Sequence, residues 1–292
     1  MNDTVADIVS LNGTLQPLNQ TKISPLDYGF LYGFGLFETM RAYDGLVFLL
    51  DQHLDRLYQS ARTLGFPPLP RQDGVADAVE KTIIANGLKN ARVRLTVSMG
   101  EGAMVPDTAS CKSPTVLISA RPLVAVDRAH YEKGFSAVLS SYRRDSQSPI
   151  SRMKTCNYLN SLLARTEARS ADAAEAVMPN EKGWLAECSS SNLFLVMANK
   201  VYTPPVESGL LPGITRAAVV ELAKLEGIEL KMRDMPVEAL QGADEAFLTN
   251  SILEIMPLTL FQGKPVGDGR PGPITRKLMG AYSKLIETTV SR

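Results

Sequence analysis

The chain has 292 residues, of which 45% are hydrophobic and 21% charged, and its 31 basic side chains are balanced by 31 acidic ones. That length suits two domains rather than one small core. Zero net charge gives no long-range field to attract nucleic acid or an anionic membrane, so any anion site has to be built locally. No apolar run approaches the roughly 20 residues that span a bilayer, and the start, Met1-Asn2-Asp3-Thr4, lacks the basic and apolar stretches of a signal peptide. Three separated cysteines (Cys111, Cys156, Cys188) and two histidines (His53, His130) point to a reducing, cytoplasmic setting with neither a disulfide framework nor a metal cluster.

Residues 1–120 read as a small, strand-rich domain. Strand-like residues over 36–47 flank Tyr43-Asp44-Gly45, and Asp-Gly between such runs signals a hairpin turn. Residues 51–64 read as a helix with Asp51 as N-cap and Leu54, Leu57, Ala61 and Leu64 on one face. A second helix is expected over 73–86, stopped by Gly87. The run 92–97 alternates as a strand, which puts Arg92 and Arg94 on one face, and 115–120 is another strand. Residues 121–133, opening with Arg121-Pro122, are the expected interdomain linker.

The larger domain, 134–292, begins with a strand over 135–142. A polar loop containing Pro149 leads to Lys154, after which a helix is expected to about residue 169. A strand at Glu175-Ala176-Val177-Met178 precedes a turn at Asn180-Glu181-Lys182-Gly183 and a strand pair over 184–187 and 193–197. Gly213-Ile214-Thr215 opens a helix reaching Leu225. Alternating sheet and helix follow, up to a last helix from about Ile274.

Four segments carry the chemistry. They are His53-Leu54-Asp55-Arg56-Leu57, Lys154-Thr155-Cys156-Asn157-Tyr158-Leu159-Asn160, Glu187-Cys188-Ser189-Ser190-Ser191-Asn192-Leu193-Phe194 and Leu211-Pro212-Gly213-Ile214-Thr215-Arg216. In this order and at these approximate gaps, from about Ile23 to Pro257, they resemble the fold-type IV (class IV) pyridoxal-phosphate enzymes. That family includes branched-chain and D-amino-acid aminotransferases and 4-amino-4-deoxychorismate lyase. The resemblance implies a two-domain α/β (α+β) fold with pyridoxal 5'-phosphate in the cleft between the domains. It also implies a homodimer acting on a small-molecule amino substrate.

The resemblance assigns roles residue by residue. Lys154 matches the lysine whose amine attacks the cofactor aldehyde and later moves a proton at the substrate α-carbon. Alone it would be a solvated surface charge, but Asn157-Tyr158-Leu159-Asn160 resembles the family's post-lysine helix. Glu187 matches the carboxylate that keeps the pyridine nitrogen protonated. For the phosphate, Gly213-Ile214-Thr215 offers backbone N–H groups, a hydroxyl and a helix dipole. Arg56 matches the helix arginine of His-x-x-Arg and adds a charge-assisted contact, and Ser251 with the Ile252 N–H matches the last phosphate loop. Leu211 matches the apolar residue against the ring. The plainer alternatives are a helix cap for Thr215, a surface ion pair for Arg56, a turn residue for Ser251 and a core residue for Leu211. His53 is assigned to helix packing and no chemistry.

Three features lean toward the lyase. Thr39, in Phe37-Glu38-Thr39-Met40-Arg41, stands where branched-chain aminotransferases usually have glycine, and in lyases that threonine relays a proton to the leaving group. Lys154 and Asn157 are three apart, as in lyases and D-amino-acid aminotransferases. Thr249-Asn250-Ser251 looks more like the lyase loop. Glu254 and the run Tyr158-Leu159-Asn160-Ser161 favour an aminotransferase instead. Candidates for the substrate carboxylate are Arg94, near the family's strand arginine, then Arg92 and Arg41, with Tyr32 at the position of an active-site tyrosine; the plainer alternatives are a solvated sheet-face charge for either strand arginine and simple packing for Tyr32. A third reading is a protein that binds the cofactor without turnover.

Overall fold

The computed structural model describes residues 7–290, so the reading of Met1-Asn2-Asp3-Thr4 lies outside the described residues. Contacts divide the chain into two compact units. One runs to Val124 and also takes in Lys154–Asn157; the other comprises Ala125–Met153 and the chain from Tyr158 onward.

The first unit contains β1 (Ile8–Leu11), β2 (Thr14–Pro17), α1 (Tyr28–Tyr32), β3 (Gly35–Tyr43), β4 (Leu46–Val47), α2 (Leu50–Thr63), α3 (Gln72–Ala85), β5 (Ala91–Ser98) and β6 (Thr115–Pro122). Its sheet has the order β2-β1-β6-β5-β3-β4 with antiparallel neighbours throughout. Period-2 alternation sorts the side chains. Leu36, Met40, Val93, Leu95, Val97 and Ile118 are buried on one face with Leu54, Leu57, Val79 and Ile83 of the two longer helices. The opposite face carries Phe37, Thr39 and Arg41 of β3 beside Thr96, Arg94 and Arg92 of β5.

Asp44 and Gly45 both take positive φ, 49° and 88°, as a two-residue hairpin turn requires. The helix after it differs from expectation. Asp51 is not its cap: the Phe48 N–H donates to the Arg41 carbonyl at 3.0 Å, and Leu49 reverses the chain at φ 54°. The helix therefore starts at Leu50, leaving Asp51 in the first turn, where its charge suits the helix dipole.

A second difference concerns the lysine segment. Residues 154–157 are not helical, Thr155 forming a bridge and Cys156 a bend, and the helix expected to follow Lys154 opens only at Leu159. Thr155 bridges Leu36 in antiparallel fashion, the Phe37 N–H donates to the Lys154 carbonyl at 2.9 Å, and the Cys156 N–H donates to the Gly35 carbonyl at 2.8 Å. These bonds hold the segment against the start of β3, which is incompatible with helical dihedrals there.

The second unit contains α4 (Arg128–Lys133), β7 (Phe135–Leu139), α5 (Leu159–Ser170), β8 (Glu175–Pro179), β9 (Leu185–Cys188), β10 (Asn192–Met197), β11 (Lys200–Thr203), α6 (Ile214–Leu225), β12 (Leu230–Met232), α7 (Glu238–Gln241), β13 (Glu245–Asn250), β14 (Glu254–Phe261), β15 (Lys264–Pro265) and α8 (Pro273–Val290). Its mixed sheet runs β12-β11-β10-β13-β14-β7-β8-β9, with β15 on β14. Leu193, Leu195, Leu248, Met256 and Leu258 pack on one face with Met235 and Leu240. The other face bears the stacked rings of Phe194 and Phe247, 4.8 Å apart. Of the expected linker, Arg121 and Pro122 finish β6, and Asp127 caps α4 through the Ala129 N–H at 3.0 Å. Among the described residues no helix is long and apolar enough to cross a membrane.

Candidate active site

In the first unit the lysine amine has a defined place. Lys154 Nζ lies 4.7 Å from the centre of the Phe37 ring, and the Arg94 guanidinium lies 3.9 Å from the same centre. Phe37 and Thr39 share a sheet face, and Thr39 stands opposite Arg94 in the ladder. Thr39, Arg94 and the lysine amine are thus gathered on one side of β3. Arg41 and Arg92 stand opposite each other one step along, Arg41 stacking on Tyr43 at 4.4 Å. Arg94 Nε also donates to Thr96 Oγ1 at 3.1 Å. Tyr32 is placed apart on α1, its hydroxyl donating to the Met104 carbonyl at 3.3 Å.

Behind that strand lies a buried charge cluster. Glu38 Oε1 and Oε2 accept from Arg56 Nε at 2.8 Å and Nη2 at 2.5 Å, and His53 Nδ1 lies 2.7 Å from Oε2. Burial pushes the Glu38 carboxyl up, yet the Arg56 charge and the His53 hydrogen bond outweigh it and hold the group at about 2. Burial draws the His53 imidazole below its usual range, against the pull of Glu38, and the charges of Arg56 and Lys154 add to the fall. His53 is neutral at pH 7, donates through Nδ1 to Glu38, and belongs to a polar triad rather than to helix packing alone. Arg56 is no surface ion pair: its side chain is 11% exposed and that of Glu38 is 1%.

In the second unit Glu187 is equally well held. Its Oε1 forms an ion pair with the Arg144 guanidinium, whose Nε lies 3.1 Å away and donates to the Gly209 carbonyl, and its Oε2 accepts from the Leu211 N–H at 3.0 Å and Asn192 Nδ2 at 3.2 Å. Asn192 Nδ2 also donates to the Leu211 carbonyl at 2.9 Å, tying the Glu187 strand to the segment that opens α6. Gly213 is the N-cap of α6, and no side chain caps that end; Thr215 in its first turn is buried. Tyr158 donates to the Ser189 carbonyl at 2.9 Å, and burial with the nearby Glu187 and Glu175 charges pushes its hydroxyl up to about 12. Between β13 and β14, Asn250 Oδ1 accepts from the Ile252 and Leu253 N–H groups at 2.9 and 2.7 Å, which sets Ser251 at the tip of the turn.

The chain from 35 to 261 matches the family model described as amino-transferase class IV. The chain belongs to the class IV aminotransferase family. It is 39% identical to a protein of Methanocaldococcus jannaschii named provisionally as a branched-chain-amino-acid aminotransferase, covering 95% of this chain and 96% of that one. It is 34% identical to the aminodeoxychorismate lyase of Bacillus subtilis, over 97% of this chain and 96% of the relative. Among solved structures it superposes on the Escherichia coli branched-chain amino acid aminotransferase with a TM-score of 0.92 at 33% identity, covering 96% and 94% of the two chains. The branched-chain amino acid aminotransferase of Thermobaculum terrenum, solved in its PLP-bound holo-form, gives a TM-score of 0.86 at 28% identity, covering 96% and 94%. The two-domain α/β fold of type IV is that of the class IV aminotransferases.

Several residues of this class IV chain escaped the sequence reading. Arg144, Asn192 and Tyr158 support Glu187 and its strand, and Glu38 holds Arg56 and His53. Asn192 lies inside the motif spanning residues 187–194, but its two bonds depend on how β10 faces the 211–213 segment. Gly213 has a steric signature: a Cβ there would lie 2.0 Å from Asn192 Oδ1, although its φ of −69° suits any residue. Gly213→Ala is expected to displace Asn192 and lower stability by about 1–3 kcal/mol. Thermal melting checks the effect.

Proposed function

We propose that this chain is a pyridoxal 5'-phosphate-dependent aminotransferase that moves the amino group of a branched-chain amino acid to a 2-oxo acid. The observation that carries the reading is that Lys154 Nζ and the Arg94 guanidinium both lie against the one Phe37 ring, 4.7 and 3.9 Å from its centre. An amine that moves a proton at an α-carbon is helped by a nearby cation that receives the α-carboxylate and fixes the geometry. The names of the relatives at 39% and 33% identity support the amino substrate. They put the aminotransferase ahead of the lyase that Thr39 and the Lys154–Asn157 spacing favour.

The residues present fit the cofactor. A phosphate dianion is well received by an uncapped helix start and hydroxyls, which Gly213, Ile214, Thr215 and Ser251 of the second unit would provide; Arg56, the cation that the family resemblance implies, belongs to the first unit. Thr249, opposite Asn192 in the β10–β13 ladder, has a buried hydroxyl with no hydrogen-bond partner. It adds a polar group of the kind a bound ligand or water satisfies. Glu187, held by one cation and two neutral donors, would receive a protonated ring nitrogen, and Leu211 would pack on the ring. Bound pyridoxal phosphate supplies the electron sink for negative charge developing at the α-carbon. Lys154 would take the proton from the substrate α-carbon and deliver it away from that carbon, as loss of the amino group requires, and Arg94 would fix the carboxylate, with Arg92, Arg41 and Tyr32 as the outer candidates. Tyr158 stays protonated throughout the neutral range and donates rather than exchanges its proton. The reading includes a homodimer, to which the exposed Phe30, Met104 and Val105 of the first unit would contribute apolar area.

A second reading, the lyase, is favoured by one placement: the Thr39 hydroxyl shares its sheet face with the ring beneath the Lys154 amine. Both are tested on the same holoprotein. Glutamate formed over many turnovers from L-leucine and 2-oxoglutarate is the expected result. Steady p-aminobenzoate release from aminodeoxychorismate without glutamate formation would hand the function to the lyase. A bound cofactor whose spectrum ignores every amino substrate, D-amino acids included, would leave a binding protein.

A further inference from the structure

Glu175, at the start of β8, is 1% exposed and has no part in the chemistry above. Its carboxylate is filled by the turn at 189–191. Ser189 Oγ and the Ala176 N–H (3.0 Å) donate to Oε1, while the Ser190 N–H (3.3 Å), Ser190 Oγ (2.8 Å) and Ser191 Oγ (3.0 Å) donate to Oε2. Every one of these donors is neutral. A carboxylate kept from water is tolerated only where donors replace its hydration, and here three consecutive residues supply nearly all of them. Such a clasp fixes the turn in one shape, because changing the shape would strip a buried charge of its partners.

What the turn does with that rigidity follows from its outward bonds. The Ser190 carbonyl accepts from Asn250 Nδ2 at 3.1 Å. That bond aims Asn250 Oδ1 at the Ile252 and Leu253 N–H groups, which it accepts at 2.9 and 2.7 Å. A flipped Asn250 amide would set oxygen against the Ser190 carbonyl and nitrogen against two donors, so the clasp fixes the amide's direction. We propose that Glu175 is a positioning residue for the turn carrying Ser251, acting through the three-serine turn and Asn250. The inference rests on the proposed role of Ser251 at the cofactor phosphate.

The test compares the affinity of the full-length apoprotein for pyridoxal phosphate with that for pyridoxal, which lacks the phosphate. Glu175→Gln is expected to lower this ratio about tenfold while affinity for pyridoxal stays within about twofold. Asn250→Ala should lower the ratio similarly, and the double variant no further, since both act on one path. Three outcomes overturn the proposal: an unchanged ratio in Glu175→Gln, parallel weakening of both ligands, or additive losses in the double variant. Should Glu175→Gln not fold, Ser191→Ala removes one clasp hydroxyl without touching the charge; its ratio is expected to fall about threefold, and an unchanged ratio overturns the proposal equally. A wild-type protein without preference for the phosphorylated ligand would remove the phosphate-site reading itself, a result distinct from all of these.

Discussion

Lys154→Ala is expected to abolish the visible absorbance of a lysine-linked cofactor and to cut turnover about 10⁴-fold, while the cofactor stays bound through its phosphate and ring contacts. The fold should hardly respond. The segment is fixed to β3 through main-chain bonds of Lys154, Thr155 and Cys156, none of which needs the lysine side chain. The removed amine belongs to a half-buried residue and lies over the Phe37 ring. Absorbance, turnover and melting temperature measured on one preparation separate the possibilities. Lost absorbance at unchanged melting temperature supports the role; an unchanged visible band and turnover would end it. Arginine would be no substitute, since a guanidinium stays protonated at working pH and cannot take up a proton.

Much of this was legible in the sequence, for reasons that differ from one element to the next. The hairpin at Asp44-Gly45 and the turn at Asn180-Glu181-Lys182-Gly183 were readable because local turn chemistry determines them; Asn180 Oδ1 accepts from the Lys182 and Trp184 N–H groups. The alternation over 92–97 was readable because β5 buries one face only. The non-helical course of 154–157 was not, because its cause lies more than a hundred residues away in β3. The cap of α2 was missed because Leu49 carries no cap signature and takes its left-handed conformation from the hairpin closure beside it. Site residues within motifs could be named, but their supports could not. Nothing local to Glu38 or Glu175 marks either as buried, since their partners arrive from α2 and from the 189–191 turn.

The buried Glu38 cluster should dominate the acid stability of the first unit. Glu38→Gln leaves the Arg56 charge, 11% exposed, without its carboxylate, and removing one partner of such a pair costs about 3–5 kcal/mol. The pH dependence supplies the sharper test. Glu38 falls from 4.5 to about 2 on folding, which by linkage corresponds to about 3 kcal/mol. A depressed carboxyl contributes that stability in full above its unfolded value, and loses it as pH falls from about 4.5 through about 2. His53 acts in a higher window. Its folded value lies below 6.5, so the unfolded chain binds the proton first and stability begins to fall as pH drops below 6.5. Wild-type denaturation followed by urea at successive pH values should therefore show two acid losses, one beginning near neutrality and one below about pH 4.5. In Glu38→Gln the lower loss should largely disappear, since no titrating carboxylate remains opposite Arg56. Parallel pH profiles, offset by a constant amount, would show that Glu38 contributes packing and not charge.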